Sequence, residues 1–211
     1  AEALERQQEQ PGTYEELSFT ERLSLLVEQE QSVRQQRKHD RLIRQAKFKL
    51  NATVQEIDYQ HPRNIERSRI ARLAQRDWLG HNACLQGYSV RYYRTSRLLL
   101  ALTQSKADGT YHKLLTQLAK VRLLILDDWG LEPLKAAHRN DLMEIMDDRY
   151  AQASTVLISQ LPTDQWYAQI GDNTLADAIL DRLMHNAHRL QLKGESMRKK
   201  LGTLTEDEHI S

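Results

Sequence analysis

The sequence predicts an α/β protein, in which helices flank a parallel sheet and a helical segment precedes it. Three runs have the apolar, β-branched and aromatic composition of strands: residues 88–93, 122–126 and 155–159. Helical spacing of apolar residues occupies the stretches between these runs: residues 95–106, 111–120 and 136–151. Strands that alternate with helices in this way are typical of a parallel sheet, because each parallel pair needs a crossover connection.

A long helix is predicted near the start of the chain. Ser18 and Glu21 are spaced as a capping box, in which each side chain bonds a free backbone amide at the beginning of a helix. Good helix formers then continue without glycine or proline to about Phe48. We therefore expect one helix from Ser18 to about Phe48.

The second half of this helix carries a row of basic residues at steps of three and four: Arg34, Arg37, Lys38, Arg41 and Arg44. This spacing places them along one face of the helix. Such a row can follow the phosphates of DNA, and the alternative is a charged face that is simply solvated.

Two domains are expected. With 211 residues, of which 40% are apolar, the chain is long enough for one full domain and a smaller appendage. Pro62 interrupts the chain, and Asn64 can cap a further helix. We expect a helical domain that binds DNA or a partner over residues 1–79, and the α/β domain over residues 80–211.

The composition excludes several classes of protein. Cys84 is the single cysteine, so no internal disulfide can form, and a cytoplasmic protein is expected. No apolar run approaches the roughly 20 residues of a membrane span, so no membrane-embedded segment is expected. The histidines show no spacing with acidic or cysteine partners that indicates a metal site.

Two acidic residues follow a buried strand and form the most specific motif of the sequence. Four apolar residues, 123–126, end in Asp127 and Asp128, as in a Walker B strand. A carboxylate at the carboxyl tip of such a strand can help to position Mg²⁺ beside phosphates, here through an indirect contact. Asp127 would take that role, and Asp128 would orient the attacking water. The alternative is a buried strand that ends in an acidic turn.

Three further residues fit positions that such a site uses. Gln160 follows the next strand, where a polar amide can bond the terminal phosphate. Arg182, within residues 178–183, resembles an arginine finger that stabilises phosphoryl transfer in a neighbouring subunit. Arg198 resembles a residue that reaches the nucleotide from a small lid. Each of these side chains, taken singly, is also compatible with an ordinary surface position.

These motifs together resemble the IstB family of insertion-sequence transposition proteins. The resemblance rests on LLILDDWG, SQLP, DAILDRL with HNAHR, and KGESMRK. It implies an AAA+ P-loop ATPase with a small C-terminal lid, related to the helicase loader DnaC and the initiator DnaA. It also implies ATP and Mg²⁺ as cofactors, a homo-oligomer on double-stranded DNA, and the transposase of the same element as partner. The alternatives are a DnaC-type helicase loader and a DNA-binding scaffold that does not hydrolyse ATP.

One required motif has no counterpart in the sequence. A P-loop ATPase holds phosphates with a Gly-x-x-x-x-Gly-Lys-Ser/Thr turn between its first strand and first helix. Here that strand, the loop and most of the helix, about 20 to 30 residues, are missing between Asn82 and Ala83. Either the printed sequence omits them, or they are deleted from the protein. We favour an omission, because the loss of a central strand should leave a hole in a parallel sheet.

A second group of basic residues lies among tyrosines in and after the first predicted strand: Arg91, Arg94, Arg97, Lys106 and Lys113. In relatives this region often faces a DNA-binding pore, so the resemblance implies phosphate contacts here. Such contacts give affinity and salt dependence but little sequence discrimination.

Overall fold

The computed structural model describes residues 2–9, 11–14, 16–48 and 80–191. Three helices come first: α1 (Glu2–Glu9), α2 (Pro11–Tyr14) and α3 (Phe19–Ala46). The α/β part then runs α4 (Gly80–Leu85), β1 (Val90–Arg94), α5 (Thr95–Ala107), α6 (Tyr111–Lys120), β2 (Leu123–Asp127), α7 (Ala136–Arg149), β3 (Ser154–Leu157), α8 (Trp166–Ile170) and α9 (Asn173–Met184). A short 3₁₀ helix, Thr163–Gln165, precedes α8. The further helix predicted after Asn64 lies outside the described residues.

Helix α3 begins and ends close to the predicted positions. The Oγ of Ser18 accepts a hydrogen bond from the backbone N of Glu21 at 3.3 Å, and the backbone N of Ser18 donates to the Glu21 carboxylate at 2.7 Å. The capping box is therefore confirmed. The helix ends where Lys47 adopts a left-handed conformation, with φ of 58°. At 28 residues it is about 42 Å long.

The sheet is parallel, as predicted, and its strand order is β1-β2-β3. Val90 pairs with Leu123, and Leu123 pairs with Ser154, so the three strands start and end nearly level. The three described strands pair directly with their neighbours, so no gap lies between them. A strand missing from this sheet would lie beside β1 or β3, and the expected hole stays a prediction.

Strand β2 is buried on both faces, and each face has its own core. On one face Leu124 and Leu126 pack among side chains of α5, α6, α7 and α9. On the other face Leu123 and Ile125 join Val90 in a second apolar cluster. The members that cover this second face come from α3 and α4: Leu42, Ala46, Ala83 and Cys84. The C-terminal end of α3 therefore belongs to the core of the α/β part.

Glycine leaves room where α4 meets this second core. A Cβ on Gly80 would lie 2.5 Å from the ring of Phe48 and 2.8 Å from the Cδ1 of Ile125. A larger residue would therefore require the Phe48 ring or the end of the Ile125 side chain to shift.

Arg149 is a buried cation that ties the amino ends of the strands together. Its side chain is only 2% exposed. The guanidinium donates to the carbonyl oxygens of Leu118, Val121 and Ser154 and to the Oγ1 of Thr155. Burial lowers the pKa of Arg149 to about 10, so the side chain stays charged at neutral pH. One planar guanidinium thus donates hydrogen bonds at the end of α6 and near the starts of β2 and β3.

We expect Arg149→Ala to lower the free energy of unfolding by about 3 kcal/mol, because it leaves buried carbonyl oxygens without donors. The matched control is Arg122→Ala, which removes an exposed arginine near the same sheet edge and should cost less than about 0.5 kcal/mol. Urea unfolding followed by tryptophan fluorescence measures both values. Equal losses in the two variants would contradict the role given to Arg149.

Candidate functional site

Asp127 lies at the carboxyl end of β2, where the sequence predicts it, and both of its carboxylate oxygens have partners. The hydroxyl of Tyr92 donates to Oδ2 at 2.5 Å, and the backbone N of Asp128 donates to Oδ1 at 2.9 Å. The Oγ1 of Thr95 donates to the backbone carbonyl oxygen of Asp127 at 2.9 Å. Side chains from β1 and the start of α5 therefore fix both the carboxylate and the backbone of this residue.

Tyr92 supplies the shortest of these contacts from the neighbouring strand. Partial burial and the hydrogen bond to Asp127 together raise the pKa of Tyr92 to about 12, so its hydroxyl keeps the proton that it donates. Tyr92 pairs in register with Ile125, two residues before Asp127, and only a long side chain reaches across that offset.

Asp128 has an unusual backbone conformation and an ion-pair partner. Its φ of 57° is in the left-handed region, which aspartate tolerates better than most residues. The Nε of Arg94 lies 3.4 Å from the Oδ2 of Asp128. Arg94 is the last residue of β1 and is paired in register with Asp127, so the end of β1 supplies the countercharge for the acidic turn.

Gln160 lies at the same edge of the sheet, in the loop after β3, and its side chain is exposed. Ser159 fixes this loop: its Oγ donates to the carbonyl oxygen of Trp129 at 2.7 Å and accepts from the backbone N of Leu161 at 3.0 Å. The backbone N of Trp129 donates to the carbonyl oxygen of Ile158. The loops after β2 and β3 are therefore joined, which brings the acidic pair and Gln160 to one edge.

Arg182 lies toward the opposite end of the sheet, where the strands begin. It forms an ion pair with Asp147 at 2.7 Å, in the last turn of α7. Helix α7 starts after the carboxyl end of β2 and leads to the amino end of β3, so its last turn lies where the strands begin. A contact of Arg182 with phosphates near Asp127 would therefore need a neighbouring copy of the chain. Arg198 lies outside the described residues.

The basic residues of α3 are all exposed: Arg34, Arg37, Lys38, Arg41 and Arg44. Arg34 pairs with Glu30 at 2.7 Å on the same helix, and the Nε of Arg44 donates to the carbonyl oxygen of Asp40. Within the part of the chain that the structure describes, Arg37 and Arg41 have neither an ion pair nor a hydrogen bond from the side chain. Leu42 and Ala46 lie on a neighbouring face of the helix and point into the second core.

Three residues of the second basic group have partners within the chain. Arg91 donates to the carbonyl oxygen of Gln45 and so caps the end of α3. Arg94 pairs with Asp128, as described above. Lys106 pairs with the buried Asp141 at 2.5 Å. Arg97 and Lys113 are exposed and, among the described residues, have no ion pair.

The carboxylate of Asp141 explains the position of Lys106. Asp141 is 1% exposed, and the single hydroxyl proton of Tyr111 is shared between Asp141 at 2.8 Å and Glu144 at 2.9 Å. A buried carboxylate needs a nearby cation, because an unpaired buried charge is strongly unfavourable. Lys106 therefore holds α5 against α7.

The sequence did not identify Tyr92, Thr95 and Ser159 as partners of the acidic turn. Hydroxyl groups give no periodic signal, and each of these three reaches a residue about 30 positions away in the chain. Tyr92 could have been identified only from the register of β1 on β2, because that register places the two strand ends side by side.

This parallel sheet with helices on both faces defines a protein of the α/β class. The fold is similar to that of the crystal structure of DnaI, with a TM-score of 0.54 and 18% identity over 68% of this chain and 92% of that chain. The chain belongs to the family of IstB-like ATP binding proteins, whose model matches residues 1–82 and 78–204. The resemblance found in the sequence is therefore confirmed.

Two relatives come from Sinorhizobium fredii (strain NBRC 101917 / NGR234) and are described as insertion-sequence ATP-binding proteins. The first, y4pL, is 43% identical over 89% of this chain and 86% of its own length. The second, y4uH, is 38% identical over 87% of this chain and 83% of its own length. The y4pL alignment has 211 positions but includes only about 188 residues of this chain, so about 23 positions are occupied in the relative alone.

The residues present do not form a complete ATP site. Of the eight glycines in the sequence, none is followed by lysine and no two are five positions apart. A glycine-rich phosphate loop needs both features, because its backbone amides and its lysine supply the contacts to the phosphates. The acidic pair is present, and the group of donors that would hold the nucleotide beside it is not.

The described residues also lack two other functional features. Groups of three or more histidine, cysteine, aspartate or glutamate side chains suited to a metal ion do not occur there. Among the helices of that part of the chain, none combines the length and the apolar character needed to cross a membrane.

We expect Tyr92→Phe to lower the free energy of unfolding by about 1 kcal/mol at pH 8, through loss of the hydrogen bond to Asp127. The contribution of Tyr92 is fully present below pH 10, the ordinary pKa of tyrosine. It is lost as the pH rises toward 12, because the unfolded chain ionises first. Urea unfolding at pH 8, 10 and 11 should therefore show a steeper fall for the wild type.

The control for this experiment is Tyr93→Phe, because the Tyr93 hydroxyl has no hydrogen bond within the described part of the chain. It should retain the pH dependence of the wild type. If Tyr92→Phe retained it as well, the hydrogen bond to Asp127 would not account for the raised pKa of Tyr92.

Proposed function

We propose that this chain is a DNA-binding helper of insertion-sequence transposition. It binds double-stranded DNA as a homo-oligomer and presents that DNA to the transposase of the same element. The observation that carries this proposal is membership of the IstB-like family together with an exposed basic row on a helix fixed to the core. The names of its relatives place them in insertion sequences, which supports the same role.

The basic row of α3 has a geometry suited to a DNA backbone. From Arg34 to Arg44 it covers about 15 Å of helix, which is comparable with the roughly 12 Å width of a major groove. Among the described residues neither Arg37 nor Arg41 forms an ion pair, so their guanidinium groups remain accessible to phosphate. Since Leu42 and Ala46 anchor a neighbouring face of the helix, the row is presented at a fixed orientation to the α/β core.

Arg97 and Lys113 would extend this surface, because both are exposed and neither is neutralised by a described side chain. Arg91, Arg94 and Lys106 contribute less, since each already has an acceptor within the chain. Contacts of this kind bind phosphates without reading bases, which suits a helper that acts at many targets.

Hydrolysis of ATP is a separate part of the sequence-based prediction. The sequence-based prediction assigns Mg²⁺ binding to Asp127 and activation of water to Asp128. It assigns phosphate contacts to Gln160, Arg182 and Arg198. These roles presuppose a phosphate loop that the sequence does not contain. The proposed function therefore rests on DNA and transposase binding alone.

A DnaC-type helicase loader is the other function that the sequence suggests. The relatives favour the transposition helper, because their names refer to insertion sequences. Pull-down with purified transposase of the same element and with the replicative helicase of the same host separates the two functions. Retention of the helicase alone would overturn the assignment as a transposition helper.

We expect the double variant Arg37→Ala/Arg41→Ala to bind duplex DNA roughly tenfold more weakly at 0.1 M salt, through the loss of two phosphate contacts. The negative slope of log K against log salt concentration should become shallower by about 1.8. The control Lys120→Ala/Arg122→Ala removes the same charge from exposed positions at the other end of the sheet and should keep the wild-type slope. Fluorescence anisotropy with a labelled duplex measures both. Equal effects would indicate nonspecific attraction only.

A further inference from the structure

We propose that this chain acts without ATP, as a nucleotide-independent member of its family. The proposal concerns the nucleotide site, and only its consequence for DNA rests on the proposed function. Three independent observations support it: the sequence lacks a phosphate cradle, the acidic turn is already bonded within the chain, and the second face of the sheet is closed by α3 and α4.

The absence of the cradle is a property of the whole printed sequence. No glycine is followed directly by lysine, and no two glycines are five positions apart as in a phosphate loop. The family model matches in two stretches that meet at residues 78–82, and the y4pL relative has about 23 residues more within the aligned region. A strand, a phosphate loop and part of a helix account for a segment of about that length.

The contacts within the acidic turn also support nucleotide independence. The carboxylate of Asp127 accepts from Tyr92 and from the backbone N of Asp128, and Asp128 faces Arg94. These partners neutralise or satisfy both acids. A nucleotide-bound metal would have to displace them without the phosphate contacts that usually provide most of the binding energy.

The described core is closed without the missing segment. Helix α4 runs unbroken across the junction between Asn82 and Ala83, and both Ala83 and Cys84 are fully buried. The end of α3 covers the rest of this face through Leu42 and Ala46. The sheet order β1-β2-β3 is contiguous, so the loss of a further strand removes an edge neighbour and leaves the three described strands paired.

This packing has a consequence for DNA binding. Helix α3 carries both the basic row and, on a neighbouring face, the contacts to the core. Because the sequence supplies no phosphate loop, ATP has no site through which to move the row. DNA binding by this chain is therefore constitutive.

The first test is the continuity of the chain at the junction. Trypsin digestion of the protein purified from its natural host should yield the peptide DWLGHNACLQGYSVR, from Asp77 to Arg91, by mass spectrometry. That peptide is expected. A longer peptide containing a Gly-Lys-Ser or Gly-Lys-Thr sequence at this point would overturn the proposal.

The second test measures ATP and DNA in the same preparation. Titration with a fluorescent ATP analogue and Mg²⁺ should give no saturable binding, and addition of ATP should change the Kd for a labelled duplex less than twofold. The y4pL relative serves as the positive control for the ATP analogue. Saturable ATP binding by this chain, or a tenfold change in the duplex Kd on adding ATP, would overturn nucleotide independence.

The variant Tyr92→Phe tests whether the hydrogen bond to Asp127, rather than the missing phosphate loop, prevents ATP binding. If the hydrogen bond to Asp127 were the only obstacle, this variant would gain ATP binding. We expect no gain, because the donors for the phosphates are still missing, and a gain would contradict the proposal. Failure of the wild type to bind duplex DNA, with ATP binding also absent, would refute the proposed function and leave the assignment of the nucleotide site intact.

Discussion

Strand β2 has large apolar side chains on both faces, and the arrangement of the remaining elements follows from the need to cover them. Leu124 and Leu126 on one face are covered by the helices that connect and follow the strands. Leu123 and Ile125 on the other face are covered by α3 and α4, which come from the N-terminal side of the chain. Exposing either face would place several leucine and isoleucine side chains in water, at roughly 1.5 to 3 kcal/mol for each.

This requirement joins the basic surface of α3 to the core. Because Leu42 and Ala46 cover part of β2, the neighbouring basic residues of α3 have a fixed direction. Arg91 strengthens the same connection by capping the carbonyl end of α3. The expected boundary near residue 79 thus separates two segments of sequence, while the end of α3 packs with the second of them.

The acidic turn illustrates how charged groups at a strand end are satisfied within the chain. Asp127 and Asp128 have the residue types and the position of a metal-binding edge, yet their partners are Tyr92, a backbone amide and Arg94. Charged groups near the end of a buried strand need such partners whether or not a nucleotide binds. Conversely, Lys106 and Arg91 have the charge of DNA contacts but are used to hold helices in place.

The sequence by itself determined the order of strands and helices, the capping box at Ser18 and the placement of Asp127 at a strand end. These are local features, because apolar periodicity and capping depend on residues a few positions apart. Only the tertiary structure decided that Tyr92 binds Asp127, that Arg149 ties three elements together, and that α3 closes the second face of the sheet. These contacts join residues from about 30 to about 80 positions apart, and their formation depends on strand register and on the apolar surface that each face must bury.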